Sequence, residues 1–410
     1  MSGHTGQSPT VERSGPGRSR AIRRSSSIAR GTRPAATAAY PGSMTNPGQH
    51  PQTPSPSPST TRASMPASTP VDPAVPQRQL ATYDHALRAA PAWWRGALAL
   101  LLLVVGFLIL SIALGGIALI VDVATGAYTL DDVANGLMTL TPVTMLANNL
   151  SLAALIPVSM LIQWAIFGVR PRWLSSVEGR FRWRWLGRLA LIIVPVWIVY
   201  VGASVLLSPL EPIVVDGTMI AMLAVVILTT PLQSAGEEYG ARGLIQRSVG
   251  SWFSRPITAF LVGTVVSGAV FASVHFAGDP WLIAYYFVFG ASMSFAARGT
   301  GGLEAPVLIH ATNNVLLLVP TALMSQTDQV FERGEGAGGP FMLIPMALCV
   351  AAAVVSTWWG RRNGVTATAP LPPSRVTKQQ GTPPAAMAAP VATPTQLPTT
   401  PQDPSAAPPR

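Results

Sequence analysis

Adjacent glutamates, Glu237 and Glu238, are followed by Arg242 in the stretch from Ser234 to Arg247. Two of the five histidines lie in apolar sequence, His275 in FASVHF and His310 in VLIHATNN, with Asn314 four residues beyond His310. Carboxylates and imidazoles can move the protons of a water molecule, and imidazoles and amides can hold a developing oxyanion. A charged side chain near the bilayer centre costs roughly 3 kcal/mol on insertion scales, so such groups in apolar sequence invite a functional reading.

Helical spacing separates their roles. Glu238 and Arg242 are four apart and face each other, with the acid N-terminal, the favoured order. Glu237 then points about 100° away and is left to face a cavity. His310 and Asn314 share one helix face, as do Phe271 and His275. If the chain turns near Ser254 to Pro256, Glu237 lies about 17 residues before the turn and His275 about 20 after it, at comparable depth, provided the helix continues past Glu238.

Each signal alone has a plainer reading. A Glu-Glu-x-x-x-Arg run beside a membrane is more often a solvated face, and a membrane histidine or asparagine more often bonds between helices. Three clusters in nearly consecutive segments weaken those readings together. Asn148 and Asn149 are assigned to packing, and Glu304 to the cytoplasmic interface, with no functional inference drawn from it.

The elements that must position these residues are membrane helices. The chain has 410 residues, of which 49% are hydrophobic and 11% charged. A soluble core of this size rarely has that profile. Eight apolar segments, at about 96–121, 143–168, 186–208, 217–235, 256–276, 281–297, 304–322 and 340–359, are near the roughly 20 residues that span a bilayer. The expected fold is an all-α, polytopic membrane helix bundle over residues 91–360, with disordered tails at 1–90 and 361–410 that are rich in Ser and Pro.

Arginine fills the even linkers, and acids such as Asp131, Asp132, Glu211, Asp216, Asp279, Asp328 and Glu332 fill the odd ones. By the positive-inside bias, both termini are cytoplasmic and the expected location is the plasma membrane. The net charge of +10 then points to lipid headgroups, and no nucleic-acid partner is expected. Arg18, Arg20, Arg23 and Arg24 beside Ser25 to Ser27 are read as solvated. No cleavable signal peptide is expected, and the first apolar segment would act as an uncleaved anchor. The single cysteine, Cys349, excludes an internal disulfide.

The order Glu237-Glu238-x-x-x-Arg242, Phe271-x-x-x-His275, His310-x-x-x-Asn314 resembles the motif set of the CPBP intramembrane protease family, which includes the type II CAAX prenyl endopeptidases. The resemblance covers about residues 217–320. It implies an endopeptidase that hydrolyses a peptide bond in or near the membrane, with a peptide or protein substrate. Carried over, Glu237 with His275 would activate water, His310 and Asn314 would stabilise the oxyanion, and Glu238 and Arg242 would support the site. Glu237, His275 and His310 would also make a set of the kind catalytic zinc uses. There is no His-Glu-x-x-His helix, however, and a metal-free glutamate mechanism is favoured. The alternatives are a proton-coupled transporter, in which Glu237 and His275 relay protons, and a non-catalytic membrane scaffold or immunity protein.

Overall fold

The computed structural model describes residues 80–208, 212–213, 215–324 and 333–376. Among them, eight helices are long and apolar enough to cross a membrane: α1 Trp93–Ala124, α2 Pro142–Phe167, α3 Trp183–Leu207, α4 Gly217–Gly250, α5 Pro256–Ser273, α6 Pro280–Thr300, α7 Glu304–Leu323 and α8 Pro340–Arg362. The chain is an integral membrane protein of the all-α class. Its segments follow the apolar runs, because a helix pairs its own backbone polar groups and needs no partner in lipid.

Two boundaries differ from the expectation. The fourth helix runs on to Gly250, about four turns beyond the apolar run. Its residues Tyr239–Gln246 form a π-helical stretch in which every residue is buried, so polar side chains there are covered by protein rather than lipid. The fifth helix ends at Ser273, which leaves His275 in the turn that follows it.

The acids of the odd linkers have a local explanation. Asp216 Oδ1 accepts from the Met219 N–H at the start of α4, and Asp279 Oδ1 accepts from Trp281 and Leu282 at the start of α6. Unpaired amides at a helix start favour such oxygen acceptors. Burial alone would raise the Asp279 carboxyl, but the N–H groups of Leu282, Gly336 and Trp281 hold it below the usual range.

In the bundle, α4 packs along α2 and α7, α6 along α5 and α8, and α3 against α7. The most apolar window of α1 is only 11% buried and that of α7 50%, so α1 is peripheral and α7 central. Lipid tails are as apolar as leucine, so close packing and internal polar bonds must hold the helices together. Gly236 illustrates the packing. A Cβ there would collide with the Leu152 carbonyl, so the glycine lets α2 approach α4 beside Glu237.

The tails are shorter than the sequence suggests. Strand β1, Leu80–Thr82, pairs antiparallel with β2, Thr368–Pro370, and joins the two flanks of the bundle. A 3-10 helix, Tyr83–Ala89, follows β1 and is almost wholly buried. Arg247 Nε donates to the Tyr83 carbonyl at 3.2 Å, and Arg298 Nη1 lies 2.8 Å from Asp84 Oδ2. His85, read as a tail residue, bonds the Phe253 carbonyl through Nε2 at 2.9 Å. On the other flank, Ser374 Oγ donates to the Phe167 carbonyl. These polar anchors, with Tyr83 and Leu87 fully buried in the hydrophobic core, order stretches that composition assigns to the tails. The remaining tail residues, 1–79 and 377–410, lie outside the described residues, as do Glu211, Asp328 and Glu332.

Glu304 also departs from the expectation of an interfacial residue. It is fully buried, and Arg182 donates to both of its oxygens, with Nε at 2.9 Å from Oε1 and Nη2 at 2.7 Å from Oε2. The residue sits under the folded flank, where water is excluded.

Candidate active site

The Glu237 and Glu238 carboxylates leave α4 just before its π-helical stretch, a distortion frequent at functional sites. Glu238 is wholly buried, and its Oε1 accepts from Arg242 Nη1 at 3.0 Å and from His310 Nδ1 at 2.8 Å. A carboxylate only accepts, so His310 carries a proton on Nδ1. Its Nε2 then faces Glu237 Oε2 at 3.7 Å, beyond a direct hydrogen bond. The side chain of Glu237 retains 15% exposure, against none for Glu238. Adjacent in sequence, the two acids thus have different surroundings: one is paired and enclosed, the other is partly open.

Aromatic rings build the wall behind them. Phe271 lies under the Arg242 guanidinium at 4.5 Å and packs edge-on to the His310 ring at 5.7 Å. Such contacts favour a cation over the ring face. Phe289 packs on His310 at 4.8 Å. Gly290 leaves room beside Gly268, so that α5 and α6 approach closely near Arg242.

His275, although past the end of α5, is held on several sides. Its Nδ1 donates to the Phe271 carbonyl at 2.6 Å, so its Nε2 is the atom free to accept or bind. Its ring packs against Phe271 at 4.6 Å and stacks on Tyr286 at 3.9 Å with 25° between planes. Its backbone carbonyl accepts from Arg333 Nη1 at 2.8 Å, and that guanidinium lies 5.7 Å from the Tyr286 ring. Asn314, half-buried on α7, donates through Nδ2 towards Gln233 Oε1 at 3.3 Å and Ser234 Oγ at 3.4 Å. Gln233 in turn donates to Glu237 Oε1.

The structure therefore gathers Glu237, Glu238, Arg242 and His310 in one cluster, links Asn314 to it through Gln233, and joins His275 to it through Phe271. Gln233, Tyr286 and Phe289 were not found by sequence reasoning. Gln233 lies one helical turn before Glu237 on α4, a spacing that could have found it. Tyr286 and Phe289 reach the site from α6, a helix without a recognisable motif. Among the described residues, no three His, Cys, Asp or Glu side chains converge as ligands.

The fold and the cluster define a class: a polytopic membrane protein whose bundle encloses a carboxylate, imidazole and amide constellation. Residues 217–316 match the family described as Type II CAAX prenyl endopeptidase Rce1-like. The matched segment contains all six residues singled out from the sequence, so the family resemblance of this segment holds. The chain is also similar to the "Uncharacterized protein YyaK" of Bacillus subtilis (strain 168), at 30% identity over 102 residues, 23% of this chain. That alignment spans 33% of YyaK, about a third of the relative's length. No solved structure matches.

Proposed function

We propose that the protein is an intramembrane endopeptidase of the CAAX-protease type, with both termini cytoplasmic in the plasma membrane. The observation that carries this reading is the contrast within the glutamate pair. Glu238 is enclosed and bonded to Arg242 and His310, while Glu237 is partly open beside His310 Nε2.

In this reading Glu237 takes a proton from a water whose second hydrogen bonds His275 Nε2. The water oxygen attacks the scissile carbonyl, and the carbonyl electrons move onto its oxygen. Asn314 Nδ2 and a protonated His310 Nε2 donate to that oxyanion, which requires His310 as the imidazolium with Nδ1 bonded to Glu238. When the intermediate collapses, the C–N bond breaks and the amine leaves with the proton held by Glu237. Donors of this kind contribute on the order of 10² to 10³ in rate.

The substrate class is a peptide or protein segment that reaches a cavity between α4, α5 and α7, and prenylated CAAX termini are the first candidates from the family description. The test uses full-length protein in lipid nanodiscs with membrane peptides, some ending in prenylated CAAX sequences, and products identified by mass spectrometry. Wild type is expected to cleave and Glu237→Gln to fail; equal cleavage by both sinks the assignment. Water activation is assigned to Glu237 without a resident metal, because its neighbours do not form a three-ligand set. Chelator-treated protein is accordingly expected to keep its cleavage rate. Loss of activity on chelation, restored by zinc, would overturn that part.

A further inference from the structure

The amide of Asn314 has an oxygen that accepts and a nitrogen that donates, and only the nitrogen can serve an oxyanion. What decides its orientation is the preceding residue. Asn313 is buried on α7, and its Oδ1 accepts from Trp197 Nε1 of α3 at 3.2 Å and from the Tyr285 hydroxyl of α6 at 3.5 Å. An indole N–H only donates, so the Asn313 atom facing Trp197 must be its oxygen. The Asn313 nitrogen then points at Asn314 and donates to its Oδ1 at 3.2 Å. With its oxygen engaged, Asn314 turns Nδ2 towards Gln233 and Ser234 on α4, the side on which Glu237 lies.

We infer that Asn313 is a positioning residue, an amide set by Trp197 and Tyr285 that in turn holds Asn314 with its donor facing the reacting atoms. The inference rests on the endopeptidase reading for its kinetic consequence but not for its geometry. A residue that merely joins three helices would also be hydrogen-bonded; only one that acts through Asn314 loses its effect when Asn314 is removed.

The experiment uses full-length protein in nanodiscs and whichever nanodisc-embedded peptide the wild type cleaves. Asn313→Asp keeps an acceptor for Trp197 and Tyr285 but removes the N–H that engages Asn314. It is expected to lower kcat on the order of tenfold with KM unchanged, the scale of one lost hydrogen bond. In an Asn314→Ala background the same change should cost nothing further, since the two residues act as one unit. An equal loss in both backgrounds overturns the inference.

A second measurement is independent of cleavage. In protein labelled with 15N-asparagine, the Asn314 side-chain NH2 signals, assigned by their loss in Asn314→Ala, should shift in Asn313→Asp and in Trp197→Phe. Unchanged signals overturn the inference whether or not any peptide is cut. If Asn313→Asp does not fold, Trp197→Phe and Tyr285→Phe carry the same signal test. If Glu237→Gln cleaves like wild type, the endopeptidase reading falls while the amide signals still decide the positioning.

Discussion

Arg182 with Glu304, beneath the folded flank, and Arg242 with Glu238, within the bundle, are both arginine–glutamate pairs shielded from solvent, yet their surroundings differ. Arg182 reaches both Glu304 oxygens, and its remaining donors bond the carbonyls of Thr300 and Thr366. Around the other pair, Glu238 Oε2 and Arg242 Nε and Nη2 make no hydrogen bond among the described residues. Half-buried Glu237 adjoins that second pair through His310, with Asn314 and His275 reached through Gln233 and Phe271, whereas the half-buried neighbour of the first pair is Glu178, whose Oε1 lies 3.7 Å from Arg182 Nη1. Burial of charge therefore does not by itself mark a site. A fully engaged pair fits a clamp, whereas a pair that holds a histidine beside a partly open carboxylate fits chemistry.

Substitutions should separate the two pairs. The largest effect is expected from Glu237→Gln, which should lower kcat by roughly 10² to 10⁴ with little change in thermal unfolding, the range for loss of a general base. Glu304→Ala should do the reverse. It leaves buried Arg182 with only the more distant Glu178 carboxylate, 3.7 Å from Nη1, and should cost up to about 3 kcal/mol of stability, while the surviving folded protein keeps its turnover number. Unfolding monitored by a thiol or tryptophan probe, beside cleavage per folded molecule, checks both. If Glu304→Ala lowered turnover as far as Glu237→Gln without unfolding the protein, the distinction between clamp and site would fail.

A smaller effect is expected where the site is held by an aromatic ring. Tyr286→Ala should slow cleavage about threefold to tenfold through loss of the stack on His275, and Tyr286→Phe should restore most of the rate. A rate unchanged by Tyr286→Ala would show that the turn after α5 holds His275 unaided.

The smallest expected effect belongs to the flank. Burial raises the Asp84 carboxyl above its ordinary range despite the Arg298 guanidinium beside it. Its folded value exceeds its unfolded one, so the stability it contributes is present below about pH 4 and is lost as pH rises through the folded value. Asp84→Asn should flatten that dependence while keeping an acceptor for the Arg298 guanidinium. Unfolding midpoints of both proteins from acid to neutral pH test the sign. A wild-type advantage that grows with pH would reverse it.

Several of these features are legible in the sequence. The apolar runs mark all eight spans because lipid demands length and apolarity, which are properties of contiguous residues. The Glu238–Arg242 contact and the different direction of Glu237 follow from helical spacing once the helix is known to continue. The end of α5 at Ser273 was not legible, since an apolar run does not record where the backbone turns. Nor was the clamp on Glu304, whose partner Arg182 stands at the start of α3, 122 residues earlier in the chain.

By itself, then, the sequence determined the membrane class, the number of spans and, on α4 and α7, which reactive groups share a helix. Those are matters of local period and composition, which the polymer carries along its length. Only the tertiary structure decided which glutamate is enclosed, that His310 bonds Glu238, that Tyr286 backs His275, and that Asn313 faces Trp197 and Tyr285. It also decided that residues 80–89 and 368–376 belong to the fold rather than to the tails. The physical reason is common to all of them. Rotation and depth of one helix against another are set by packing between distant residues, and no spacing along the chain encodes them singly.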